Sequence, residues 1–206
     1  MVDVSGSMGA LTYTTGNFPQ PIHVAVSLGL YLSSKNTGKF KDLFLTFSGD
    51  PEFVNVKGSL SQKMLQMEAS KWEMNTDFNK ALKKILDIAL RHNVPKHEMP
   101  QMLLVLSDMQ FDAVSTRYNG YISFDPKAND LVRDAYIRAG YDVPKIVYWN
   151  LNGSTNNTPV KFNDRGVASV SGFSPAIMKS ILSSKLEKFT PYNVMLETLN
   201  KSRYDF

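Results

Sequence analysis

The sequence predicts an α/β protein built on an open, mostly parallel sheet. Three observations carry that reading. Four short apolar runs recur along the chain, at Met1 to Val4, Leu43 to Phe47, Met102 to Leu106 and Ile146 to Trp149. Nearly continuous runs of this kind suit strands buried on both faces. Amphipathic helical patterns separate them, and alternation of strand and helix is the signature of parallel βαβ units. Finally, Phe53 to Val56 follows Phe47 after the turn residues Ser48-Gly49-Asp50-Pro51, so this segment reads as an antiparallel edge strand closing a hairpin.

The elements follow in order. The first run is short for a central strand, which typically has about five or six residues; we therefore expect the sequence to begin inside a longer protein. Pro21 to Ser34 is the first helix, with Ile22, Ala25, Val26, Leu28 and Leu32 offered to a core. A second helix covers about Leu60 to Trp72. A third starts near Thr76 and buries Phe78, Leu82, Ile85 and Ala89. The fourth has Asp125 as cap, Pro126 as first residue and Gly140 as stop, with Ala128, Leu131, Ala135 and Ala139 on its apolar face. Val167 to Val170 is a sixth strand. Ser174-Pro175 and Thr190-Pro191 open two further helices. The turn-rich stretch from Asn150 to Gly166 reads as surface loop.

Composition narrows the function classes. The 206 residues are 43 % hydrophobic, with 12 Phe, 9 Tyr and 2 Trp, enough for a real core. There is no cysteine, which excludes disulfides, zinc–thiolate sites, iron–sulfur clusters and a cysteine nucleophile. A metal would have to be held by oxygen or by His23, His92 and His97, and all three histidines read as structural or solvated. The net charge is +4 and diffuse, so it does not argue for nucleic acid. No stretch approaches the roughly 20 apolar residues of a membrane span. We expect a soluble, intracellular protein of the cytoplasm.

The chemistry concentrates in Asp3-Val4-Ser5-Gly6-Ser7-Met8. A carboxylate at the end of a buried strand is costly unless paired, and two hydroxyls follow at alternate positions. Ligands of open α/β sheets sit at the carboxyl ends of the strands. A carboxylate with hydroxyls there is the donor set of a hard divalent cation. Thr76, at a helix start, and Asp108, ending the strongest strand, belong to elements able to reach the same edge. Each residue also has a plainer role open to it. Asp3, Ser5 and Ser7 can satisfy backbone amides in a turn, Thr76 can cap its helix, and Asp108 can end its strand.

Asp-x-Ser-x-Ser at the first strand, a distant Thr and a further Asp resemble the metal-ion-dependent adhesion site of von Willebrand factor type A domains. The matching positions are Asp3, Ser5, Ser7, Thr76 and Asp108, and the resemblance covers essentially all of residues 1–206 as one domain. Leu106 to Asp112 and Gly166 to Ser174 resemble a plant and giant-virus family with a C-terminal type A domain. More distantly they resemble the Ro ribonucleoproteins, whose helical RNA-binding ring has no counterpart here. The resemblance implies a doubly wound, Rossmann-like sheet with one antiparallel edge strand and helices on both faces. It also implies a bound Mg²⁺, Mn²⁺ or Ca²⁺ whose open position takes a carboxylate from a partner protein.

Three functions follow in order of preference. The first is a metal-dependent binding module, not an enzyme, with an acidic protein ligand as partner. The second is a metal-assisted hydrolase or phosphoryl-transfer enzyme using Asp77 or Asp112 as base. Against it, Ser5 stands where an Asp-x-Asp phosphatase needs its second Asp, and no Walker or nucleophile-elbow motif is present. The third is part of an RNA-associated protein, although nucleic acid is not the expected partner of this domain alone. The segment Phe111 to Phe124, with Phe111, Arg117, Tyr118 and Tyr121, is either a partner-selecting rim or a lid on its own core. Asn150, Asn152 and Arg165 read as loop filler.

Overall fold

The computed structural model describes residues 1–11, 19–70, 77–108, 126–152 and 167–172, together with Met178, Tyr192, Met195, Leu196, Leu199 and Asn200. The chain divides into two compact units, Met1–Gly172 and Phe173–Phe206. In the second, the described residues are helical or in a turn, and Asn200 donates its amide to Leu196 O at 2.8 Å. The predicted helix starts at Ser174 and Thr190 lie outside the described residues.

The first unit is a mixed α/β structure. Strands β1 (Leu43–Leu45) and β2 (Phe53–Asn55) form an antiparallel hairpin in the register Leu43↔Asn55 to Leu45↔Phe53. Strands β3 (Met102–Ser107), β4 (Lys145–Asn150) and β5 (Val167–Ser171) form a parallel sheet in the order β3-β4-β5. The opening run is a single rung rather than a full strand. Val2 is bridged in parallel both to Thr46, just past β1, and to Leu106 of β3. Two backbone bonds fasten it: Asp3 N–H donates to Leu106 O at 2.8 Å, and Leu106 N–H to Met1 O at 3.0 Å. The chain turns away after Val4 because Gly6–Met8 coil into a 3₁₀ turn.

The helices are α1 (Pro21–Lys35), α2 (Leu60–Glu68), α3 (Phe78–Arg91) and α4 (Pro126–Arg138). Several of their ends have a chemical cause. Ser59 and Gln62 cap α2 reciprocally, with Gln62 Oε1 taking the Ser59 amide at 2.8 Å. Asp77, not Thr76, caps α3, accepting from Lys80 N–H at 2.9 Å. Both α3 and α4 end in left-handed residues, Asn93 (φ 47°) and Gly140 (φ 76°). The following amides turn back onto the helices, Val94 to Ala89 O at 2.9 Å and Tyr141 to Tyr136 O at 3.0 Å. Tyr141 Oη then joins the two ends by donating to Val94 O at 2.8 Å.

The main core gathers Phe78, Leu82 and Ile85 of α3, Val132 and Tyr136 of α4, Leu103 and Val105 of β3, and Ile146 and Tyr148 of β4. Intervening strand residues such as Leu106, Val147 and Trp149 are buried outside that cluster, as the two-residue period of a strand requires. Two helix faces differ from expectation. In α1 the buried set is Ile22, Ala25, Val26, Gly29, Leu30 and Ser33, so small residues replace Leu28 and Leu32 at the contact. In α4 Leu131 is 62 % exposed while Val132 and Tyr136 are buried. Tyr136 Oη decides that rotation by donating to Leu82 O of α3 at 2.8 Å. Among the described residues no helix is long and apolar enough to cross a membrane.

Candidate metal centre

The parallel strands end together, and their last residues are polar. Ser107 ends β3 and is paired in register with Asn150, which ends β4 and is paired with Ser171 of β5. Asp3, leaving the Val2 rung, joins this edge because its amide is bonded to Leu106 O. Sheet register therefore brings together residues more than 100 positions apart.

Asp3 is 3 % exposed and Asp108 is fully buried. Ser107 Oγ donates to Asp3 Oδ2 at 2.6 Å, and Ser5 N–H donates to Asp3 Oδ1 at 2.9 Å. Burial pushes the Asp3 carboxyl above its ordinary range. The bonds from Ser107 and Ser5 oppose the rise, and the nearby Asp108 charge adds to it. Ser5 Oγ and Ser7 Oγ lie 3.0 Å apart in an exposed bond. The two carboxylates are buried, Ser5 is half-buried and Ser7 is exposed.

The loop carrying the hydroxyls is tied to α1. Gln20, the residue before Pro21, accepts the Ala10 amide on Oε1 at 2.9 Å. Its own N–H donates to His23 Nδ1 at 3.0 Å, and His23 Nε2 lies 3.3 Å from Leu11 O. Because Nδ1 accepts a backbone N–H, the ring proton sits on Nε2 and points to that carbonyl.

Of the sequence-predicted residues, Asp3, Ser5, Ser7 and Asp108 lie at or beside this edge. Thr76, Phe111, Asp112, Arg117, Tyr118, Tyr121 and Arg165 lie outside the described residues. Asn150, expected as loop filler, is the buried last residue of β4 at 7 % exposure, and its Oδ1 takes the Asn152 amide at 2.8 Å. Asp77, weighed as a catalytic base, is engaged as the α3 cap. Ser107 was missed as a site residue. Its only signal was its place between a strand and Asp108.

Among the described residues no three His, Asp or Glu side chains gather. A cation here would be held by two carboxylates and by hydroxyls, all hard oxygen donors, which suits Mg²⁺, Mn²⁺ or Ca²⁺ better than softer metals. The repulsion between Asp3 and Asp108 is the kind a cation relieves.

A family profile described as a domain of unknown function, DUF7788, matches residues 1–202. The chain is similar to an "uncharacterized protein" of Acanthamoeba polyphaga mimivirus, 30 % identical over 201 residues. That match covers 97 % of this chain and 32 % of the relative, so the chain spans about a third of the viral protein's length. No solved structure matches.

Proposed function

The chain belongs to the DUF7788 family, and we propose that it is a metal-dependent interaction module of the von Willebrand factor type A kind, working inside the cell. The observation that carries the reading is the buried Asp3–Asp108 pair at the carboxyl edge of the parallel strands, with the Ser5 and Ser7 hydroxyls on the loop that leaves Asp3. Two like charges held in a low-dielectric site are costly without compensation. A divalent cation supplies it, and when bound it offers an open coordination position to an incoming carboxylate.

The residues divide that work. Asp3 and Asp108 supply the negative charge that attracts the cation. Ser107 and the Ser5 amide fix the Asp3 carboxylate. Ser5 and Ser7 offer neutral oxygens and add no further negative charge, so the cation's open position stays available to an acidic side chain of a partner protein. Thr76 completes the proposed set by sequence resemblance. In the same reading Val2 is the central rung that joins the β1–β2 hairpin to β3-β4-β5, making one doubly wound sheet with β2 as its antiparallel edge.

The test is calorimetric titration of Mg²⁺, Mn²⁺ and Ca²⁺ into chelator-treated protein. The expected result is saturable binding of at least one ion that Asp3→Ala abolishes without unfolding the chain. No binding of any ion, or equal binding by Asp3→Ala, overturns the proposal.

A further inference from the structure

Helix α1 begins with a cap of an uncommon kind. The usual N-cap is a short Ser, Thr, Asp or Asn; here His23 Nδ1 takes the Gln20 amide at 3.0 Å while the His23 amide goes to the Gln20 carbonyl at 3.0 Å. Both side chains also reach out of the helix to consecutive residues of the loop that carries Ser5 and Ser7. Gln20 Oε1 takes the Ala10 amide at 2.9 Å, and His23 Nε2 meets Leu11 O at 3.3 Å. Between them and the hydroxyls stands Gly9 at φ 100°, where any Cβ would collide with the Gln20 side chain. Loop and helix are thus closely packed at that point. Ser5 and Ser7 themselves are joined by one exposed bond, which cannot by itself hold two hydroxyls in a fixed relation.

We infer that Gln20 and His23 are positioning residues for the metal centre: they latch the Ser5–Ser7 loop to the rigid start of α1, so that its hydroxyls are presented already ordered. The inference rests on the metal reading above. Side chains that orient a metal's ligands commonly contribute 10- to 100-fold in affinity without touching the ion, because the loop need not be ordered when the ion binds.

The probe is Mn²⁺, titrated calorimetrically into wild type, Gln20→Met, His23→Leu, His23→Gln and Ser59→Ala, with thermal unfolding recorded for each. Gln20→Met keeps the length and loses the acceptor. His23→Leu removes both ring bonds, and His23→Gln returns a donor nitrogen for Leu11 O. Ser59→Ala removes the cap of α2, a structural bond of similar kind outside the latch. The expected outcome is about a 10-fold or greater loss of Mn²⁺ affinity in Gln20→Met and His23→Leu, with partial recovery in His23→Gln. Ser59→Ala should stay within about twofold of wild type despite its own loss of stability. Affinities of the folded latch variants matching that of Ser59→Ala overturn the latch while leaving the metal centre standing. Wild type that binds no Mn²⁺, Mg²⁺ or Ca²⁺ overturns both.

Discussion

Asp3 holds its place through two donors from different parts of the chain. The Ser5 amide is local, and the Ser107 hydroxyl comes from 104 residues away. The first was legible in the sequence, because Asp-x-Ser is a turn in which the carboxylate meets the amide two residues on. The second was not, since a serine closing an apolar run reads as strand filler until register sets it beside Asp3. Truncating it tests the bond directly. Ser107→Ala leaves a buried carboxylate oxygen short of a donor and should cost about 1–3 kcal/mol. Urea unfolding of the metal-free protein measures this; a change below about 0.5 kcal/mol would mean that Asp3 relaxes toward solvent or another donor.

At the scale of elements, caps and stops were the most readable features. Pro21, Pro126 and Gly140 stand where the structure uses them, because each acts through its own backbone preference. Faces were harder. Counting apolar residues placed Leu28 and Leu131 inwards, whereas α1 is buried through Gly29 and Ser33 and α4 is turned by the Tyr136 bond. A small residue at a helix–strand contact carries no hydrophobic signal, yet it sets how closely the backbones approach. A Cβ on Gly29 would lie 2.5 Å from Val2 Cγ2 and 3.2 Å from Met67 Cε. Gly29→Ala should therefore destabilise: overpacking costs about 1–3 kcal/mol, against about 1 kcal/mol returned by helix propensity. Thermal unfolding decides the sign, and a raised midpoint would show that α1 slides on Val2 at little cost. Displacing Val2 would also shift Asp3, one residue on.

For the whole molecule, strand and helix alternation announced the α/β class, but spatial order depends on pairings that no local pattern encodes. The rung at Val2 and the exact meeting of β3, β4 and β5 appear only in the fold. So does a second property of the core, its two buried tyrosines. Tyr136 and Tyr148 sit on α4 and β4 in the same cluster, and burial raises both phenols above the ordinary value of 10.0, with Asp87 adding to the rise at Tyr136. They differ in what the hydroxyl does. Tyr136 donates to Leu82 O, whereas Tyr148 packs edge-on against Phe78 at 5.2 Å and its buried oxygen has no hydrogen-bond partner among the described residues. Tyr148→Phe should thus be neutral or stabilising near pH 7, and Tyr136→Phe should cost about 1 kcal/mol. The sign of the pH effect follows from linkage. A phenol whose folded pKa lies above its unfolded pKa retains its proton longer in the native state. Its contribution is complete below about pH 10 and is lost as the pH rises beyond it, because the unfolded chain ionises first. The tyrosines' share of the unfolding free energy should hold steady up to that point and then fall, and the alkaline fall should be shallower in the Tyr136→Phe/Tyr148→Phe double variant. Equal alkaline slopes in the two proteins would mean that the phenols reach solvent before the fold opens, and that the α3–α4 layer over the sheet yields locally.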